Sequence, residues 1–553
     1  MNNQEPISND KKTVRLPIVV AITLVAGIFL GATFFGGKPI ADDVVKTSAK
    51  FKEILMYIDK SYVDKVNTDS LADYGIEKML EKLDPHTSYL PPAEAQMAQS
   101  QLKSGFDGIG VEFNIFNDTL FVVTPLTGGP SEAVGIQSGD IILKANEVSL
   151  SGKDLNNTLV FNTLRGPRGS DVKLHIKRKG FKDVLIFNVK RDKIPTFSID
   201  ASYIMADKKT GYIKINRFSE TTYDEFKQNL SQLKSQGMSQ LLIDLRGNPG
   251  GYMQMATNIV DELVGGDDVI VYTKGKDKAN NQSIFAGTEG IFEKGSIVVL
   301  VDEGSASAAE IVSGSLQDYD RATIVGRRTF GKGLVQAPIT LSDGSELRLT
   351  ISRYYIPSGR SIQKPYELGN MEGYMEEMYD REKKGELYVK DSIKNNQKLK
   401  FKTKGGRTVY GGGGITPDIF VAQDTSYYSK YLVELFSKNI LREYALIYAS
   451  DNKKALEKMT FNGYLNSFAV SEKMLTDLNN MAVKSGAKFS EKDYKASKAF
   501  IISQMKALVA KNIWKESTKK GLNNEFYQVV NQEDEMIKVA MGEFKNPLKL
   551  SKN

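Results

Sequence analysis

Hydrophobic positions along the chain change their spacing five times, and each change marks a different kind of element. Residues 16–35, LPIVVAITLVAGIFLGATFF, carry no charge over 20 positions. As a helix such a run spans about 30 Å, the hydrocarbon thickness of a bilayer. From Ser48 to about Leu90 the spacing is helical, with Phe51, Ile54, Leu55, Ile58 and Tyr62 on one face and a second helix stopping at Asp84-Pro85. Residues 101–181 shift to short strands, GIGVEFNIF, TLFVVTPL, DIILKANEVSL and DVKLHIKRKG, punctuated by Gly, Pro and Asn. Between the second and third, PSEAVGIQSGD reads as a short helix ending at Gly139. After a basic bridge, VKRDKIP, strands and helices alternate through GYIKINRF, QLLIDLR, SIVVLVD and RATIVG, which predicts an α/β domain with a largely parallel sheet. Residues 366–405 are densely charged and read as an insertion or arm, a solvated surface element. Beyond Asp424 glycine thins out, and Tyr428, Tyr431, Leu432, Leu435 and Phe436 restore helical spacing.

The flanks of the first stretch give it a direction. Lys11, Lys12 and Arg15 precede it, and Asp42 and Asp43 follow, so the positive-inside rule predicts a cytoplasmic N-terminus and an exported remainder. No Ala-x-Ala site closes the run at Phe34-Phe35, which favours an uncleaved anchor over a signal peptide. The chain has no cysteine, so disulfides, thiol nucleophiles, zinc-thiolate sites and a lipoprotein anchor are excluded. A net charge of +7 is spread along 553 residues without a nucleic-acid motif, and nucleic acid is not an expected partner. Only His86 and His175 are available as histidine bases, and neither has a catalytic-base context.

The parallel sheet brings two loops to the carboxyl ends of its strands: Gly247-Asn248-Pro249-Gly250-Gly251 and Glu303-Gly304-Ser305-Ala306-Ser307. Ser307-Ala308-Ala309-Glu310 matches a capping box, yet the bareness of GSASAA also suits close approach of another chain to a helix N-terminus. A serine there, Ser305 or Ser307, is a candidate nucleophile, and backbone N–H groups of the helix start and of the Gly250-Gly251 loop form a candidate oxyanion hole. Gly326-x-x-x-x-Gly331-Lys332 approaches a phosphate loop, but Gly333 stands where Ser or Thr is needed and a strand-like LVQAPITL follows. Lys332, between glycines and beside apolar strands, is instead a candidate base whose amine burial would neutralise, with Gln336 able to orient it.

Residues 101–181 resemble a PDZ domain, with Gly108-Ile109-Gly110-Val111 as its carboxylate-binding loop and a peptide added as a strand to the sheet edge. TFGKGLVQ, GSASAAEI, DLRGNPGG, RYYIPSGRSIQ, LDPHTSYL and GGGITPD together, over about residues 45–424, resemble the C-terminal processing (tail-specific) proteases, PDZ-containing serine peptidases. The resemblance implies a multidomain α/β protein with a crotonase/Clp-protease-like peptidase core. It implies that Ser307 is the nucleophile, Lys332 the base and Gln336 its assistant, with the N–H groups of Gly251 and Ala308 as oxyanion donors. It further implies no metal or cofactor, protein substrates with free apolar C-termini, and a bacterial inner-membrane location with the catalytic part in the periplasm. A homo-oligomer or an adaptor is compatible with it. Arg165 is a candidate for coupling the PDZ domain to the site. Where the family often has a serine, Ala309 stands, which leaves the Ser-Lys pair intact. The expected domains are 1–37 (cytoplasmic tail and transmembrane anchor), 38–100 (helical segment), 101–181 (PDZ), 182–424 (peptidase core with the 366–405 insertion) and 425–553 (helical domain). A non-catalytic PDZ scaffold at the cell envelope, or an esterase on the same core, is the competing expectation.

Overall fold

The computed structural model describes residues 42–514 and 521–545, apart from residues 104, 117, 127, 179 and 288. The apolar stretch 16–35 lies outside them; among the described residues no helix is long and apolar enough to cross a membrane. The chain divides into two compact units, Met1–Ile76 and Glu77–Asn553. The first holds α1 (Asp42–Ser61) and most of α2 (Thr68–Leu80). The apolar face expected on α1 is present, and Phe51 and Ile54 on it are exposed.

In the second unit, β1 (Ser88–Leu90) and α3 (Pro92–Leu102) lead into a β-rich module. Its elements are β2 (Gly105–Gly108), β3 (Val111–Phe116), β4 (Thr119–Pro125), α4 (Pro130–Ala133), β5 (Ile141–Ala145), β6 (Val148–Ser149), α5 (Asn157–Leu164), β7 (Asp171–Lys177), β8 (Leu185–Lys190) and β9 (Asp192–Pro195). The main sheet runs β3–β4–β5–β7–β8, so β3 is an edge strand. Strand alternation is plain in β7, where Val172, Leu174 and Ile176 are buried and Asp171, Lys173 and Lys177 are exposed. Three sequence expectations shift here. GIGVEFNIF is two strands, broken where Gly110 takes a positive φ of 72°. The helix in PSEAVG is a single turn, released at Gly135 with φ 89°. The basic bridge VKRDKIP belongs to the sheets, because β9 closes on β2 in an antiparallel pair.

The α/β core follows with β10 (Ile199–Ile204), β11 (Thr210–Ile215), α6 (Thr222–Ser235), β12 (Gln240–Asp244), α7 (Met253–Asp261), β13 (Val269–Gly275), β14 (Ser283–Phe285), β15 (Ser296–Val301), α8 (Ala308–Asp318), β16 (Thr323–Gly326), β17 (Leu334–Thr340), β18 (Glu346–Tyr355), α9 (Met371–Lys383), β19 (Lys400–Lys402), β20 (Thr408–Tyr410) and β21 (Ile419–Phe420). The central sheet is β10–β11–β12–β15–β16–β21, parallel from β11 onward. Its helix-covered face packs Ile213, Ile243 and Val299 against Phe226, Ile259 and Val312. A second sheet, β1–β18–β13–β14 with β17 also on β18, brings the residues after Lys332 alongside the segment that starts at Ser88.

Residues 366–405, expected as an insertion or arm at the solvated surface, are mostly exposed, and paired charges also tie them to the core. Arg381 is buried and donates to Glu386 at 2.8 Å, Glu386 also receives Arg328 at 2.6 Å, and Lys364 pairs with Glu377 at 2.9 Å. The tail forms α10 (Lys430–Ser437), α11 (Ile440–Leu456), α12 (Phe461–Ser467), α13 (Glu472–Lys484), α14 (Glu491–Ile513), α15 (Asn524–Val530) and α16 (Glu535–Lys545). Residues Tyr431, Leu435, Leu478 and Ile501 share one helical core. The last helix, α16, returns to the bare face of the central sheet.

Candidate active site

Because β12 and β15 are parallel neighbours, with Asp244 opposite Leu300, their following loops emerge side by side. Hydrogen bonds then lock them together. Ala306 N donates to Asn248 O at 2.9 Å, Gly247 N to Asp302 Oδ1 at 2.8 Å, and the buried Ser305 hydroxyl to Leu245 O at 2.8 Å. Ser305 is therefore consumed by structure. A Cβ on Gly250 would stand 2.7 Å from both Ala306 O and Ser307 Cβ, so only glycine allows this contact. At Gly251 a Cβ would fall 2.0 Å from Phe218 O. Phe218 N donates to Gly250 O and Tyr252 N to Phe218 O, a parallel bridge that turns the Gly251 N–H away from Phe218. Among the described residues neither that N–H nor the one of Ala308 meets a protein acceptor.

Ser307 sits at the N-cap of α8 with φ 55° and ψ −115°, a conformation that costs a side-chain-bearing residue about 1–3 kcal/mol. It is held there from both sides. Its N–H donates to Glu310 Oε2 at 2.8 Å, and its carbonyl accepts the Tyr354 hydroxyl at 3.2 Å. The same Glu310 Oε2 accepts Lys332 N at 2.9 Å, while Oε1 accepts Gly331 N at 2.7 Å and the Thr329 hydroxyl at 2.5 Å. One buried carboxylate thus sets the serine turn and the lysine loop against each other. Burial pushes its pKa up to about 7, the four donors pulling the other way. The hydroxyl of Tyr354 adds a second tie, since it also donates to Lys332 O at 2.5 Å.

Lys332 is half-buried, and its Nζ donates to Gln336 Oε1 at 2.8 Å. Burial lowers its pKa, the Arg348 cation adds to the effect, and Asp84 and Glu310 oppose it. A strand rather than a helix follows Lys332, so the loop does not build a phosphate cradle. Gln336 Nε2 in turn donates to the carbonyl of His86. The LDPH turn that presents this carbonyl is tied down by Asp84, which accepts His86 N, Thr87 N and the hydroxyls of Thr87 and Thr350 at 2.6–3.1 Å. The His86 ring meets the Tyr374 hydroxyl at 2.9 Å. Desolvation, helped by the Lys332 charge, depresses its pKa to about 4, so the ring is neutral near pH 7.

These contacts bring together Ser307, Lys332, Gln336, Gly251 and Ala308, from three separate stretches of sequence. Sequence reasoning missed Glu310, Tyr354, Asp84 and Tyr374 as their supports. A signal existed for Glu310, the Ser-x-x-Glu spacing, but it pointed to a helix cap and gave no hint of the lysine loop. Gly108, Ile109, Gly110 and Val111 lie in the β-rich module. Ile109 is buried, its carbonyl accepting Ser131 N and Oγ at 3.0 and 2.7 Å. The N–H groups of Ile109 and Gly110 have no protein acceptor among the described residues. Arg165, at the end of α5, stacks on Phe106 and Phe161 at 4.2 and 4.6 Å.

Residues 209–368 match peptidase family S41. The carboxy-terminal-processing protease of Bartonella bacilliformis is 33% identical over 351 residues, 62% of this chain and 80% of that protein. This chain belongs to the carboxy-terminal processing proteases, serine peptidases of family S41. Another member, the carboxy-terminal processing protease CtpB of Bacillus subtilis, is 34% identical over 325 residues, 58% of this chain and 66% of that relative's length. Among solved structures, a photosystem II D1 C-terminal processing protease aligns over 68% of this chain and 93% of its own, at 24% identity and a TM-score of 0.35. Outside the processing-protease core, residues 431–515 match a family of unknown function, DUF8443.

Proposed function

We propose that this chain is a membrane-anchored endopeptidase that binds protein C-termini through a PDZ domain at residues 101–181 and cleaves with Ser307 and Lys332. The observation that carries the reading is the Glu310 carboxylate, whose Oε2 accepts both Ser307 N and Lys332 N. In the reaction the neutral Lys332 amine takes the Ser307 hydroxyl proton as Oγ attacks the scissile carbonyl. The N–H groups of Gly251 and Ala308 receive the developing oxyanion, a contribution of about 3–4 kcal/mol for each donor. The Lys332 ammonium then gives its proton to the departing amine, leaving an acyl-enzyme. Water, deprotonated by the same amine, attacks the ester and releases Ser307. Gln336 accepts from Nζ without adding charge, which keeps the amine oriented and its pKa low.

Substrate capture uses the N–H groups of Ile109 and Gly110, unpaired among the described residues, for a terminal carboxylate and the edge of β3 for the peptide backbone. In this reading the uncharged run 16–35 is an anchor in the bacterial inner membrane with the catalytic part on its periplasmic side, which protease accessibility in spheroplasts checks.

The test is cleavage of an unstructured protein with an apolar C-terminus by the full chain, beside Ser307→Ala and Lys332→Ala, with a fluorophosphonate probe as a second readout. Wild type cleaves and is labelled; Ser307→Ala does neither; Lys332→Ala loses at least about a thousandfold in kcat. C-terminal amidation of the substrate weakens capture. Undiminished cleavage by Lys332→Ala sinks the base assignment, and a chain that binds free C-termini but neither cleaves nor labels is a scaffold.

A further inference from the structure

The helical domain of unknown function lies against the strand that would receive the peptide. Lys511 of α14 pairs with Glu112 of β3 at 2.8 Å. Between them opens a cavity of about 340 Å³. Its floor on the β-rich module is Glu112 and Asn114 of β3 with Val123 of β4, and its helical wall includes Phe436, Arg442 and Leu508. Along β3 the side chains alternate. Val111, Phe113 and Ile115 pack toward the module's own core, with the Phe113 and Phe161 rings 5.7 Å apart, so Glu112 and Asn114 face the other way.

A peptide added to the free edge of β3 continues this sheet, and its side chains must alternate in the same manner. If the last side chain enters the pocket between β3 and α5, the second and fourth from the C-terminus emerge on the opposite face. There they stand beside Glu112 and Asn114 as cross-strand neighbours, beneath the helices. The charges around the cavity are largely spent. Glu112 and Lys511 hold each other, and Asp200 accepts Asn216 Nδ2 at 2.6 Å and the Tyr527 hydroxyl at 3.2 Å. Arg442 is exposed and, among the described residues, has no hydrogen-bond or carboxylate partner.

We propose that the helical domain at residues 431–515 is the second wall of the peptide site: it reads the outward side chains of a bound C-terminus, and Arg442 selects a carboxylate at the second or fourth position from the end. The proposal rests on the PDZ reading above and gives the DUF8443 segment a task that the β-rich module cannot perform alone. Specificity in such a site is divided. The module's pocket takes the apolar terminal residue, and the helices discriminate by charge what lies on the solvent side.

The experiment uses the full chain carrying Ser307→Ala, so that bound peptides survive, and compares it with the same chain also carrying Arg442→Glu. Fluorescein-labelled hexapeptides with a terminal apolar residue carry Glu or Lys at the second or the fourth position from the end, and binding is read by anisotropy. At one of these positions the Glu peptide binds about fivefold more tightly than the Lys peptide to the Arg442 chain, and the preference inverts in Arg442→Glu. Arg442 is exposed, so the substitution leaves the melting temperature in place, which is measured alongside. An unchanged Glu-to-Lys ratio in both chains, with amidation still weakening binding, overturns the role of the helical wall alone. Binding indifferent to amidation overturns the peptide-site reading and this inference together.

Discussion

Glu310 is where the chemistry of this protein is most exposed to a single atom. Its two oxygens receive four donors, from Ser307, Thr329, Gly331 and Lys332, and an amide in its place cannot accept them all. Glu310→Gln is expected to leave at least one buried N–H unpaired, at a cost of about 1–3 kcal/mol, and to misplace the serine turn relative to the lysine loop. Cleavage should fall by up to about a hundredfold while peptide binding by the β-rich module persists. The carboxylate also carries a pH signature. Its folded pKa of about 7 exceeds the ordinary 4.5, so the folded chain keeps a proton that the unfolded chain releases. The stability this contributes is complete below about pH 4.5 and is lost as pH rises through 7, by at most about 1.4 kcal/mol per pH unit. His86 runs the opposite way. Its folded pKa near 4 lies below the ordinary 6.5, so its contribution appears as pH rises from 4 to 6.5. Melting curves of wild type and Glu310→Gln should therefore converge between pH 4.5 and 7, and those of wild type and His86→Gln should diverge between 4 and 6.5. Reversed trends would show that neither group titrates as its surroundings dictate. The positions of Ser307, Lys332 and the Gly250-Gly251 loop, which the structure brings to one place, were legible from the sequence because their motifs are local. Glu310 was not, since its second partner lies 22 residues away in a loop that no periodicity connects to it.

At the scale of elements, the lysine depends on pieces of chain that looked idle. Gln336 is held by a carbonyl of the LDPH turn, and that turn is braced by Tyr374 on α9, inside the charged segment 366–405. The sequence marked this segment as surface because of its charges, and the structure pairs some of them with the core: Arg381 donates to Thr329 O, and the core cations Arg328 and Lys364 meet Glu386 and Glu377 of the segment. A dense charge pattern does not distinguish a solvated arm from an ion-paired clamp, and only the fold decides. Tyr374→Phe removes one hydroxyl that touches His86, and the ring's packing on Phe330 remains. The expected result is a several-fold lower kcat with KM unchanged, and an acidic limb of the kcat profile displaced because the Lys332 amine is less firmly held. A pH profile superimposable on wild type would reduce α9 to scaffolding. Strand β13 was missed for a related reason. VIVYTKG lies between the parallel strands in sequence but joins the other sheet, on β18, and linear alternation cannot reveal that switch.

Within the unit Glu77–Asn553, the last described helix closes on the central sheet. Strands such as Gln240–Asp244 and Ser296–Val301 are nearly continuous apolar runs, and a parallel sheet with that pattern needs cover on both faces. Helices α6, α7 and α8 cover one face, and among the described residues before 424 no helix packs on the other. The missing layer comes from α16, which lays Met536, Ile537 and Ala540 on Tyr212, Leu242, Val298 and Leu300. Just before it, Asp534 pairs at 2.6 Å with Arg246, at the start of the loop that carries Gly251. The end of the described chain is thus part of the peptidase core, whereas α10 to α14 pack into two further apolar clusters, one of them shared with α15. Two variants separate these roles. Ile537→Ala, at a fully buried position, should cost about 2–5 kcal/mol and lower the melting temperature together with cleavage. Arg442→Glu, on the helical wall, should alter peptide choice and leave the melting temperature alone. If Ile537→Ala melted with wild type, α16 would be a passenger on the sheet, and the second face of the core would have to be covered by something else.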